Sequence, residues 1–296
     1  MLENILGNEK NKNILKKSVE LKKISHSYIF WGIEGIGKKI IAKEFAKEIL
    51  CLNQQENCNC KSCIEFNTNN NPDFQLIEPN EGKVKIEQIR EMQRKIAEKP
   101  IISDKKVYII ENSDTMTTEA QNCLLKTLEE PPEYITIILI CANEDNLLST
   151  IKSRCTRMHF EPINNEEIKK YIIQNYPEQE ISENIINLSQ GSIGKLIKLN
   201  ENKSIYENIE KIFLSMQNKD LIDILQMSEE IYKTKEEINS ILDYMNVILL
   251  KLSKQNIKYI RCIEIVEQTK KRLKANSNYD MCIDNLLFNM TFIIHN

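Results

Sequence analysis

The chain has 296 residues, 41% of them hydrophobic and 28% charged, which suits a globular protein of two or three domains. A net charge of −3 excludes a global cationic field that would draw the whole molecule onto nucleic acid or an anionic membrane. The opening MLENILGNEKNKNILKK is too charged for a signal peptide and no apolar run is long enough to span a membrane, so a cytoplasmic location is expected.

The first 160 residues alternate between two periods. SYIFWG (27–32) is an apolar run that stops at a glycine, and IIAKEFAKEILC (40–51) places Ile40, Ile41, Phe45, Ile49 and Leu50 on one predicted helix face. DFQLIEP (73–79) alternates as a strand does, and VKIEQIREMQRKIAEKP (84–100) is helical in period; each stops at a proline. KVYII (106–110) and ITIILICA (135–142) are short continuous apolar runs, as buried parallel strands are. Between them TEAQNCLLKTLEE (118–130) reads as a helix ended by Pro131-Pro132. Strands alternating with helices predict an α/β domain, a parallel sheet covered on both faces. Charged, Ile-rich helical stretches interrupted by Gly191 and Gly194 follow Pro162. From Lys195 onward there is neither glycine nor proline, and Ile, Leu, Met and Tyr recur at three- and four-residue intervals, predicting a helical bundle.

Residues 32–39 read GIEGIGKK, a glycine, four residues and Gly-Lys, between a predicted strand and a predicted helix. That is the arrangement of a phosphate loop: glycines turn backbone N–H groups toward phosphate oxygens, a lysine neutralises charge, and a Ser or Thr hydroxyl then ligates magnesium. Gly32, Gly35, Gly37 and Lys38 keep the pattern, but Lys39 stands at the hydroxyl position. After the strand 106–110 come Glu111 and Asn112. Glu111 can sit near a cation, whereas Asn112 cannot act as a general base. Glu34 adds a negative charge inside the loop. The loop is therefore expected to keep its fold and to have lost hydrolysis, with ATP binding weak at best.

Of nine cysteines, four crowd together as C-x6-C-x-C-x2-C: Cys51, Cys58, Cys60 and Cys63. Four thiolates satisfy tetrahedral zinc with no open position, so a structural zinc site is predicted in preference to disulfides. The other five cysteines, scattered singly, read as small buried hydrophobes.

HSYIFWGIEGIGKK, the cysteine cluster, KVYIIENSDTMTTEAQNCLLKTLEEPP and STIKSRC occur here in the order found in bacterial clamp-loader subunits of the AAA+ class. Over about residues 1–200 the chain resembles that family, and within it the delta-prime type of DNA polymerase III. The resemblance implies an AAA+ α/β domain (1–162) with a zinc insertion, a small helical lid (163–203) and a helical collar for oligomerisation (204–296). It implies that Ser153-Arg154-Cys155 presents Arg154 as an arginine finger to a neighbour's γ-phosphate, where a planar cation stabilises developing charge. The implied partners are the gamma/tau and delta subunits, with the sliding clamp and primer-template DNA met in the complex. The family spaces its last three cysteines as C-x2-C-x2-C, whereas Cys58-Asn59-Cys60 is one residue tighter, leaving open whether both ligate. Cys141 or Ala142 stands where motor subunits carry a polar sensor, and Gly191-Ser192-Ile193-Gly194 where they carry a GSxR arginine. These departures fit a non-hydrolysing subunit; the alternative is an active gamma/tau-type motor.

Overall fold

In the computed structural model the described residues are 5–53, 55, 58–177, 181–215, 222–223 and 231–295. They divide into two compact units, residues 1–171 with 191–194, and residues 172–190 with 195–296. The stretch 163–203 is thus shared between the two units.

The first unit is built on a parallel sheet of β1 (Ser27–Trp31), β2 (Phe74–Ile77), β3 (Lys106–Ile110), β4 (Ile135–Cys141) and β5 (Thr156–His159), in the order β2-β3-β4-β1-β5. The two continuous apolar runs become the central strands β3 and β4, buried along their whole length. On one face Phe30, Ile109, Ile138 and Ile140 pack against Leu15 of α1 (Glu9–Glu20) and Ile41 and Phe45 of α2 (Lys38–Leu50). On the other, Ile29, Tyr108, Ile137 and Leu139 meet Ile89 and Met92 of α4 (Ile86–Ile96) and Leu124 and Leu128 of α5 (Thr118–Glu129). The predicted α/β architecture, covered on both faces, is present.

Local chemistry sets the helix ends. The Thr117 side chain accepts from the Ala120 amide to start α5, which stops before Pro131. At the end of α4 the ammonium of buried Lys106 donates to the Lys95 carbonyl at 2.8 Å and the Tyr134 hydroxyl to that of Ile96 at 2.8 Å, satisfying carbonyls that the helix leaves open. One expected face needs correction. Ile41, Phe45 and Ile49 lie four apart and are buried, but Ile40 is a helical step of 100° away and is 58% exposed.

After α3 (Lys61–Asn67) and α6 (Ser149–Lys152), α7 (Asn165–Asn175) and α9 (Ile193–Glu201) each contain a boundary between the units. The second unit holds α8 (Glu183–Ser189), α10 (Lys203–Ser215), α11 (Ile238–Ser253), α12 (Lys258–Lys274) and α13 (Tyr279–His295). Its core includes Tyr206, Tyr244, Met245, Cys262, Leu286 and Met290. The Tyr206 and Tyr244 rings meet edge to face with centroids 4.9 Å apart, and the Lys270 ammonium of α12 bonds Asp243 of α11 at 2.8 Å. The helical bundle expected from the glycine- and proline-free sequence is present among the described residues. On α13, Met281, Phe288 and Phe292 are spaced seven and four apart, on one face, and remain exposed.

Ile138→Ala, which empties a fully buried site in β4, is expected to lower stability by about 2–5 kcal/mol in chemical denaturation. Ile40→Ala is expected to change it by less than about 0.5 kcal/mol. A cost at Ile40 equal to that at Ile138 would contradict the packing.

Candidate functional site

Because every pair in the sheet is parallel, the ends of β1, β2, β3 and β4 lie along one edge, followed by Gly32, Glu78, Glu111 and Ala142. Gly32 seats its backbone against the Phe160 carbonyl, which a Cβ there would strike. Gly37, at φ 94°, caps the first turn of α2 in the left-handed region that glycine tolerates. Strand, glycine loop and helix therefore follow one another as the sequence predicts. Both lysines of the loop are engaged inside the chain. The buried Lys38 ammonium donates to the carbonyls of Gly32 and, at 2.7 Å, Ile33, and burial lowers its pKa. Lys39 Nζ lies 2.5 Å from Glu111 Oε2 and 2.8 Å from Glu78 Oε1. Partial burial opposes the charge on Lys39, yet the bonds to Glu111 and Glu78 raise its pKa, while Lys39 lowers that of Glu78. Gly194 closes onto the same loop: its N–H donates to the Gly35 carbonyl at 2.9 Å, and a Cβ would lie 2.9 Å from Gly35 Cα.

At the ends of β3 and β4, Asn112 adopts a left-handed conformation, and the Asp114 carboxylate accepts from the N–H groups of Ala142 at 3.2 Å and Asn143 at 3.1 Å. Asp114 is thus committed to holding the two strand ends together. Cys141 is buried, and burial, followed by the nearby Asp114 charge, pushes its thiol up to about 12.

Arg154 lies at the opposite end of β1. The Ser27 hydroxyl, at the start of the strand, donates to the Arg154 carbonyl at 2.8 Å. A five-residue strand separates this point from Gly32 by about 16 Å. The Arg154 guanidinium donates to the Thr150 carbonyl at 2.9 Å and pairs with Glu129 at 2.8 Å, with 34% of its side chain exposed. Ser153 donates to the same Thr150 carbonyl at 3.0 Å. Glu129 was not visible as a partner in the sequence, although it stands in the LLKTLEEPP stretch.

The four cysteines converge, with every pair of Sγ atoms within 4.8 Å. Tetrahedral zinc at about 2.3 Å from each sulfur places sulfurs about 3.8 Å apart, so the donor set fits a four-thiolate metal. Cys51 ends α2, Cys60 caps α3 and Cys63 lies within it. Cys58 Sγ accepts from the Cys60 N–H at 3.3 Å and from the Asn53 amide at 3.4 Å; the Cys60 N–H favours a thiolate, but burial and the sulfurs of Cys60 and Cys51 outweigh it and push the thiol up. Partial burial works against the Cys60 thiolate, but the N–H groups of Cys63 and Leu52 outweigh it and bring the thiol down to about 6; burial and neighbouring sulfurs push Cys63 up. A buried polar network braces the quartet. The Ser103 hydroxyl donates to the Leu50 carbonyl at 2.8 Å and meets the Ser62 hydroxyl at 3.0 Å, and the Asp73 carboxylate accepts from the N–H groups of Ile101, Ile102 and Ser103.

The family model described as "DNA polymerase III, delta subunit" matches residues 7–164. The chain is 32% identical over 201 residues to the DNA polymerase III subunit delta' of Bacillus subtilis, covering 67% of this chain and 61% of that protein. It is 34% identical over 219 residues to the DNA polymerase III subunit gamma/tau of Mycoplasma genitalium, covering 71% of this chain and 36% of that protein. The chain thus spans less than two thirds of the length of either relative. A gamma subunit-related protein of DNA polymerase III from Thermotoga maritima, solved by crystallography, shares the fold with a TM-score of 0.60 at 17% identity, over 96% of this chain and 99% of that one. With the family model matched over more than half of its length, the chain belongs to the DNA polymerase III delta-subunit family, as a delta-prime-like clamp-loader subunit.

Proposed function

We propose that the chain is a non-hydrolysing, delta-prime-type subunit of the DNA polymerase III clamp loader. It helps to set the sliding clamp on primer-template DNA and lends Arg154 to the nucleotide of a neighbouring gamma/tau subunit. The observation that carries this reading is the state of the two loop lysines. Lys38, the residue expected to meet a phosphate, is turned onto its own loop carbonyls, and Lys39 pairs with Glu111 and Glu78 where magnesium would be organised. Asn112 supplies no general base. Gly194, where an arginine sensor would stand, presents only a backbone N–H.

Arg154 belongs to the far end of β1 from this loop, so a role for it in hydrolysis is a role in trans. Engagement exchanges Glu129 for a phosphate, a modest cost because both partners are partly exposed. Cys51, Cys58, Cys60 and Cys63 would hold a structural zinc, which adds no open coordination position and so no catalysis. In this reading 1–162 is the AAA+ domain, 163–203 the lid and 204–296 the collar, whose exposed Met281, Phe288 and Phe292 suit helix packing against the delta and gamma/tau subunits. A cytoplasmic location accords with this role, and no helix among the described residues is long and apolar enough to cross a membrane. The alternative, an active gamma/tau-type motor, draws on the similarity to gamma/tau relatives and on the retained Gly35, Gly37 and Lys38.

Arg154→Ala is expected to lower ATP turnover at the site it serves by about 10³-fold when the chain is reconstituted with gamma/tau and delta subunits, with assembly intact by gel filtration. Unchanged turnover sinks the finger. Metal analysis is expected to find about one zinc per chain, and stripping it to lower the melting temperature; a stable metal-free chain contradicts the site.

A further inference from the structure

Two carboxylates from different strand ends converge on a single ammonium at the start of the phosphate-loop helix. Glu78 follows β2 and Glu111 follows β3, neighbouring strands in the sheet, and Lys39 Nζ lies 2.8 Å from one and 2.5 Å from the other. Carboxylates held this close repel one another unless a cation sits between them. At a working phosphate loop that cation is magnesium, shared between the loop hydroxyl and an acidic strand end. Here the residue at the hydroxyl position brings the charge itself, on a stem long enough to reach both oxygens. The Lys39 and Glu111 side chains are 35% and 22% exposed, so water screens their pair only in part.

We propose that Lys39 is a tethered cation that permanently holds the place of a divalent metal ion between Glu78 and Glu111. This edge of the sheet is then set without metal or nucleotide, and taking the ammonium away opens a divalent-cation site formed by the two carboxylates. Magnesium and manganese suit such a site, since they accept one or two carboxylates and keep their remaining waters. The inference rests on reading residues 32–39 as a phosphate loop that no longer hydrolyses ATP.

The test compares the full, zinc-loaded chain with Lys39→Ala and with Lys39→Ala/Glu78→Gln at constant ionic strength. Without added metal, Lys39→Ala is expected to melt about 2–4 °C lower. Millimolar Mn²⁺ or Mg²⁺ should recover most of that fall, leave the unsubstituted chain unmoved, and recover little in the double variant. Should Lys39→Ala fold poorly, Lys39→Ser supplies the hydroxyl, and Mn²⁺ electron paramagnetic resonance should count one bound ion more than in the unsubstituted chain. A variant indifferent to both metals, or an equal response from the unsubstituted chain, overturns the inference. ATP turnover enters none of these readings. An unsubstituted chain that hydrolyses ATP would overturn the non-hydrolysing reading, while a metal-indifferent Lys39 variant would overturn the tethered cation alone.

Discussion

Strand β1 is hydrogen-bonded in parallel to β4 on one side and to β5 on the other, so neither of its ends can shift without breaking a ladder. The functional geometry follows from that double pairing. Its carboxyl end delivers the glycine loop to the edge where Glu78, Glu111 and Ala142 also emerge. Its amino end, through Ser27, fixes the backbone of Arg154. One short strand therefore keeps the glycine loop and the arginine of the SRC stretch on opposite margins of the sheet.

The charges around the loop are satisfied from within the chain. Each charge that could have served a nucleotide has an internal counterpart: Lys38 with two loop carbonyls, Lys39 with two carboxylates, Asp114 with two backbone N–H groups. Leaving a half-buried lysine without a partner would cost stability, and these internal pairings remove that cost. Gly194 contributes in the same sense, because only a residue without a Cβ lets its segment approach Gly35 so closely. The buried serine, asparagine and aspartate network beneath the cysteines is a second case of internal satisfaction, joining the end of α2 to α3 and to the 101–103 turn.

How much of this was legible in the sequence depended on whether the signal was local. The apolar runs of β1, β3 and β4, the prolines that stop α5, and the crowding of four cysteines are local, and each appears in the structure as read, whereas α4 ends at Ile96, four residues before the Pro100 expected to stop it. The tight Cys58-Asn59-Cys60 spacing proves compatible with convergence of all four sulfurs. Strand β5 gave no signal, because TRMH is a four-residue edge strand with three exposed side chains and no apolar run. Ile40 was placed on the wrong side of α2 because an adjacent pair of isoleucines hides which of them continues the four-residue spacing. The partners of Lys39 lie 39 and 72 positions away, and Glu129 reaches Arg154 only through the packing of α5 beside α6; such pairings arise from the sheet order, which no single segment encodes.

The most direct test of the account is equilibrium binding of magnesium-ATP to the purified full chain. Trp31, the sole tryptophan, immediately precedes Gly32 and is stacked 3.9 Å from the His159 ring, so its fluorescence reports on the loop. An internally satisfied loop predicts no saturable fluorescence change and no binding heat up to about 1 mM nucleotide, with or without magnesium. Saturable, magnesium-dependent binding in the micromolar range would contradict it.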